Sequence, residues 1–185
     1  MRPKNEPPEN FTEKLVKSQR IYQGKVISLD YDLVTLPNGK EAFREVVRHP
    51  GAVAVVPIAA DGKVILVRQY RHAVGKVLLE IPAGKLAAGE DIEECARREL
   101  TEETGFTAKR LRKLTSIYTA PGFADEVIHI YAAEELTGGT PCPDEDEFLK
   151  AEAYTKEEIR ELIQKEFICD AKSLVGLALA GIFFD

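Results

Sequence analysis

Polar and apolar residues alternate at period two along Lys25-Val-Ile-Ser-Leu-Asp-Tyr-Asp-Leu-Val-Thr-Leu36, the pattern of a strand with one covered face. Pro37-Asn38-Gly39 supplies turn chemistry and residues 40–47 return as a strand, so residues 21–47 predict short strands with hairpin punctuation. A hairpin alone is marginal in water, so this piece needs something to pack on. His49-Pro50-Gly51 marks a boundary. Beyond it the strands at 52–56, 63–71 and 77–81 are largely apolar, as strands covered on both faces are, and the last is stopped by Pro82.

The period then changes. In residues 91–104, Ile92, Cys95, Ala96 and Leu100 keep helical register, Asp91 and Glu94 have capping-box spacing, and Gly105 stands where a C-terminal cap belongs. Strands at 111–118 and 127–133 flank a loop that carries Pro121 and Gly122. An acidic loop, 142–147, precedes a strand at 148–154. Thr155-Lys-Glu-Glu158 opens a second helix, and a mostly apolar helix runs from about residue 170 to the end. Segregated strands and helices predict an α+β chain or a helix–sheet–helix sandwich. The expected organisation is a tail at 1–10, a small antiparallel β subdomain at 11–49 and a main domain at 50–185.

Composition narrows the field. A chain of 185 residues, 44% hydrophobic and 30% charged, has the mix of a globular domain that folds without disulfides. A net charge of −6 argues against the basic face that nucleic acid requires, but not against a small phosphate ester. The longest apolar run, residues 174–184, is broken by Gly176 and Gly181 and too short to span a bilayer. The polar start has no apolar core of a signal peptide, and Cys95, Cys142 and Cys169 show no paired-ligand spacing. The expectation is a cytoplasmic protein with reduced thiols and neither membrane nor nucleic-acid partner.

Chemistry concentrates on the predicted helix. Glu93 and Glu94 lie in its first turn, where the macrodipole favours anions. Glu99, Glu102 and Glu103 do not: Glu102 falls about 60° to one side of Glu99 and Glu103 about 40° to the other, on one narrow face. They repel one another near the helix end whose dipole opposes them. Two readings follow: a solvated acidic face with Arg98 partly neutralising Glu102 at i+4, or a site for a hard cation such as Mg²⁺.

The surrounding spacing resembles a known family, the Nudix hydrolases. Their signature runs Gly, five residues, Glu, seven residues, Arg-Glu, an aliphatic, any residue, Glu-Glu, any residue, Gly and an apolar residue. Gly84, Glu90, Arg98, Glu99, Leu100, Glu102, Glu103, Gly105 and Phe106 fill every position. The resemblance implies a Nudix α/β/α sandwich and makes Glu99, Glu102 and Glu103 the principal ligands of two or three Mg²⁺ ions, with Mn²⁺ an alternative. It implies that Arg98 orients these carboxylates and that the Ala83 carbonyl joins the metal shell. Glu90 is an auxiliary ligand or part of the helix start. Glu80 sits beside the shell or, as an ordinary strand-end carboxylate, faces water.

Pro121, sixteen residues after Gly105, and the loop around it resemble the ADP-ribose pyrophosphatase branch, with GDP-mannose hydrolysis as the nearest rival and a non-catalytic nucleotide sensor as a distant one. The resemblance implies hydrolysis of the diphosphate of ADP-ribose to AMP and ribose 5-phosphate. Tyr22 then stacks on adenine across a subunit boundary, or is simply core. Arg44 and Arg71 are phosphate cations, Arg48 and Arg68 weaker candidates, and Pro121 and Gly122 line the substrate. A glutamate of the acidic loop, Glu145 with Glu147 the alternative, serves as general base because carboxylates bound to metal serve poorly. The implied assembly is a homodimer with exchanged N-terminal strands. His49, His72 and His129 read as structural.

Overall fold

A computed structural model describes residues 11–138 and 148–183. They form two compact units: residues 11–49 with Ala120–Asp125, and residues 50–119 with 126–183.

The first unit is a three-stranded antiparallel sheet, β1 (Lys14–Gln23), β2 (Ser28–Thr35) and β3 (Glu41–Arg48), with β2 in the middle. The hairpin turn forms at Pro37-Asn38-Gly39. Gly39 takes a φ of 81°, and the Lys40 amide donates to Asn38 Oδ1 at 3.0 Å. β1 begins well before residue 21. It escapes the sequence pattern because every residue in it is exposed, so no covered face imposes an alternation.

Alternation in β2 is inverted from the usual one. Ser28, Asp30, Asp32 and Val34 are buried, while Tyr31 is exposed. Two buried carboxylates require cations, and Arg48 supplies one: Nε donates to Asp30 at 2.9 Å and Nη2 to Asp32 at 3.1 Å. Arg20 also bonds Asp30, and hydrogen bonds from Arg20 and Arg48 hold that carboxyl below the usual carboxylate range. Arg48 Nη1 reaches Asp125 at 3.2 Å, and Asp125 accepts the His49 amide at 2.9 Å. With the Val47 amide bonded to the Phe123 carbonyl, these contacts fasten the loop Ala120–Asp125 to β3. Arg48 is thus a structural hub of its sheet.

The second unit is built on β4 (Ala52–Pro57), buried throughout. It pairs in parallel with β9 (Val127–Thr137) and antiparallel with β7 (Ala83–Lys85). β8 (Thr107–Tyr118) completes a sheet in the order β7-β4-β9-β8. A second sheet runs β10 (Leu149–Tyr154), β5 (Val64–Arg71) and β6 (Lys76–Glu80), with β5 central.

Period two sends successive β4 side chains to opposite layers. Val53 and Val55 meet Cys95, Ala96 and Leu100 of α1 (Ile92–Thr104), while Ala54 and Val56 join the cluster that contains Leu66, Ile81 and Leu177. Leu177 belongs to α3 (Ala171–Leu179), and Ile159 of α2 (Lys156–Gln164) enters the same cluster. Helices on both faces of a mixed sheet make the expected α/β/α sandwich. The capping box at Thr155 and Glu158 forms with both hydrogen bonds. The last helix stops at Leu179 rather than continuing to the end, and Gly181 follows in the left-handed region with a φ of 78°. Among the described residues no helix is long and apolar enough to cross a membrane.

Candidate active site on the first helix

Local rules place α1. Asp91 caps it, its Oδ1 accepting from the Glu93 amide at 2.9 Å and the Glu94 amide at 3.1 Å. Gly105 closes it with a φ of 72° and its amide bonded to the Thr101 carbonyl. One side of the helix, Cys95, Ala96 and Leu100, is buried against β4, which fixes the rotation of the glutamate face.

That face meets β7. A Cβ at Gly84 would overlap the Glu99 carboxylate, so only glycine allows this carboxylate to lie against the strand. Four residues on, the Glu103 carboxylate accepts the Ala83 amide at 3.0 Å. Glu99 and Glu103 are buried, and Glu102 is more open to solvent.

Arg98 gathers the set. Its Nε donates to Glu90 Oε1 at 2.8 Å and its Nη1 to Glu99 Oε1 at 2.7 Å and to Glu102 Oε2 at 2.8 Å. Its Nη2 reaches Glu90 Oε2 at 3.1 Å. Hydrogen bonds from Arg98 and from the Ala87 amide hold the Glu90 carboxyl down to about 2. The same hydrogen bond to Glu90 raises the Arg98 guanidinium, while its partial burial opposes this. Burial pushes the adjoining Cys95 thiol up to about 12, which makes it an inert packing group.

These residues fit a hard divalent cation. All the donors are oxygens, two of the carboxylates are already desolvated, and the Gly84 cradle holds one of them in place. Among the described residues no three acidic, histidine or cysteine side chains are drawn tightly enough to ligate an ion; the Arg98 guanidinium balances the carboxylates instead.

Arg71 ends β5, where its Nε and Nη2 grip Glu80 at 2.8 and 2.9 Å. Glu80 is 1% exposed, so the water-facing alternative for it is overturned. Burial pushes its carboxyl up, but hydrogen bonds and charge from Arg71 and Lys172 outweigh that and hold it low. Lys172 and its neighbour Asp170 carried no signal in the sequence: Lys172 bonds Glu80 across 92 residues. Asp30 and Asp32, the partners of Arg48, did leave one, as charged residues at alternate positions in the middle of a strand.

Tyr22, Arg44, Pro121 and Gly122 lie in the first unit; Arg71, Ala83, Arg98 and the helix glutamates lie in the second. Tyr22 is 56% exposed on β1, opposite Leu29 of β2. Arg44 lies opposite Asp32 and binds Glu13 Oε2 through Nε at 3.1 Å. Leu29 and Asp32 face opposite ways, so Tyr22 and Arg44 project from opposite faces of one sheet. Arg68 stays at the surface beside Tyr154, 3.4 Å from its hydroxyl. His129 bonds Ser116 across β8 and β9 at 2.8 Å, a structural contact. Glu145 and Glu147 lie outside the described residues.

Comparison with known proteins gives the family. The chain is 47% identical over 171 residues to an ADP-ribose pyrophosphatase of Bacillus subtilis (strain 168), covering 91% of this chain and 92% of that protein. It is 44% identical over 169 residues to a methanol dehydrogenase activator of Bacillus methanolicus, covering 90% and 91%. A solved structure described as an ADP compounds hydrolase superposes with a TM-score of 0.80 at 24% identity, over 91% of each chain, a likeness of fold. The model of the NUDIX domain matches residues 48–173, which contain α1, the Gly84 cradle and the Arg98 network, and the chain therefore belongs to the Nudix hydrolase family.

Proposed function

We propose that the chain hydrolyses the diphosphate bond of ADP-ribose, water adding to one phosphorus so that AMP and ribose 5-phosphate leave. The observation that carries this reading is the carboxylate face of α1 seated on Gly84, in a chain 47% identical to an ADP-ribose pyrophosphatase over nearly its whole length.

Nudix hydrolases of this kind generally use divalent metal ions. Here Glu99, Glu102 and Glu103, with the Ala83 carbonyl, would hold two or three Mg²⁺ ions, Mn²⁺ being a substitute. Metal held there would supply charge neutralisation of the diphosphate and activation of a water. Arg98 keeps the carboxylates oriented through the hydrogen bonds described above. Arg71 and Arg44 bind phosphate oxygens, for which guanidinium geometry is suited. Pro121 and Gly122 are read as substrate-binding residues. Glu145, with Glu147 the alternative, takes the proton of the attacking water, since a carboxylate outside the metal shell keeps its basicity.

Tyr22 stacks on adenine. Because it projects from the face opposite Arg44, the two serve one substrate more readily when a second copy of the chain contributes one of them. A homodimer joined through the N-terminal strands is therefore part of the reading. So is a reducing, cytoplasmic setting, which the free thiols of Cys95 and Cys169 favour.

A product assay tests the whole. The purified chain is incubated with ADP-ribose, GDP-mannose, NADH or a diadenosine polyphosphate, with and without Mg²⁺, and the products are separated by chromatography. The expected outcome is AMP from ADP-ribose, only with metal. Preferential cleavage of another compound overturns the substrate; binding of ADP-ribose without cleavage overturns the enzymatic reading.

A further inference from the structure

The carboxylate at the end of β6, Glu80, is bonded by two cations. Glu80 is almost fully buried, and Arg71 alone satisfies it with two hydrogen bonds of 2.8 and 2.9 Å. Lys172 nevertheless bonds the same Oε2, and its Nζ also reaches Asp170 Oδ1 at 2.8 Å. Asp170 caps α3, accepting the Ser173 amide at 3.1 Å, so part of its charge is balanced by the helix N-terminus.

The two cations differ in freedom. The Lys172 side chain is 11% exposed, whereas that of Arg71 is 39% exposed. Lys172 is held by a packed element: Ser173 next to it accepts the Ile81 amide at 3.0 Å, which staples the start of α3 to the residue after Glu80. Arg71 stands at the last position of β5, where the strand gives way to the one-turn helix His72–Val74. The negative charges of Glu103 and Asp170 also act on Arg71.

A guanidinium locked on one carboxylate is poorly available to a diphosphate, and without a second cation its release would leave a buried carboxylate unpaired, which is strongly destabilising. We propose that Lys172 is a positioning residue for substrate binding, holding the charge of Glu80 while the exposed Arg71 guanidinium turns from Glu80 to the diphosphate oxygens. The proposal rests on the reading of Arg71 as a phosphate cation. Arg71 and Glu80 then work as a latch, and Lys172 as the group that lets it open.

The test compares wild type with Lys172→Met, which keeps the chain length without the charge, and with Lys172→Arg, which keeps the charge. Steady-state hydrolysis of ADP-ribose and calorimetric titration with imidodiphosphate in Mg²⁺ are the readouts. Lys172→Met should raise KM, and weaken imidodiphosphate binding, by about tenfold with kcat within about twofold. Lys172→Arg should restore both. In the double variant Glu80→Gln, Lys172→Met, Arg71 is no longer held by the Glu80 charge, and KM should return to within about threefold of wild type. A lower thermal midpoint with unchanged KM and unchanged diphosphate affinity would overturn the proposal, as would additive losses in the double variant. Should wild type leave ADP-ribose uncleaved while the imidodiphosphate shift appears, the substrate reading falls and the role of Lys172 stands.

Discussion

At Gly84 the absence of a single carbon atom lets a carboxylate reach the sheet. The Glu99 carboxylate occupies the space where any other residue would place its Cβ. Neighbouring Ala83 gives its amide to Glu103, so two consecutive residues of β7 position two of the proposed ligands. Gly84→Ala should therefore act on the site first and on the fold second. The expected result is a loss of about 100-fold in kcat/KM at limiting Mg²⁺, partly recovered at high Mg²⁺, with no more than about 1 kcal/mol of stability lost, because the atoms displaced are the flexible end of Glu99. Activity measured against Mg²⁺ concentration, together with urea unfolding, checks both parts. Full activity in the variant would mean that Glu99 has room to move and that the cradle is not needed. The signature from Gly84 to Phe106 was legible because its spacing is local; that Gly84 makes room for Glu99 was not, because it depends on the pairing of β7 with β4. Lys172 and Glu80 were not legible, because no local rule links residues of one pair across so much chain.

Elements in the second unit owe their positions to β4, whose odd and even side chains hold helices on its two faces. The fully apolar run at 52–56 carried that information, as did the caps of α1 and α2. β7 escaped prediction because three residues of Ala, Gly and Lys have no strand preference of their own; pairing with β4 makes them one. On the other face, α3 approaches closely through Gly176. A Cβ there would lie 2.9 Å from Ile81 Cδ1 and 3.1 Å from Val56 Cγ2, both side chains of the core. Gly176→Ala gains helix propensity but must push the helix outward, and in a packed core the second effect wins. A net loss of about 1–2 kcal/mol is expected from urea unfolding, together with a higher KM, since α3 also carries Lys172. An increase in stability would show that the core yields there and that propensity decides.

For the molecule as a whole, the first unit poses the question of what covers it. Tyr22, Leu29, Tyr31, Leu33 and Phe43 share one face of the sheet by register, and Tyr31 stacks on Phe43 with ring centroids 4.6 Å apart. Tyr22 and Phe43 are each 56% exposed, and Leu15 and Ile21 of β1 are exposed as well. The buried polar face, by contrast, is tied together by Arg20, Arg48, Asp30 and Asp32. A sheet with its charges inside and its aromatics outside has the pattern of a surface made for a partner. The sequence showed the alternation of β2 but not its direction, because Asp30 and Asp32 hide in the sheet only where Arg48 reaches them. If the partner is a second copy, Phe43→Asp should convert a dimer into a monomer in sedimentation equilibrium and raise KM for ADP-ribose at least about tenfold. The KM effect follows because the variant withdraws Tyr22 from the neighbouring site, while Arg71 and the helix carboxylates stay in place. A wild-type protein that sediments as a monomer and turns over ADP-ribose at full rate would remove the second copy, leaving Tyr22 to act within its own chain.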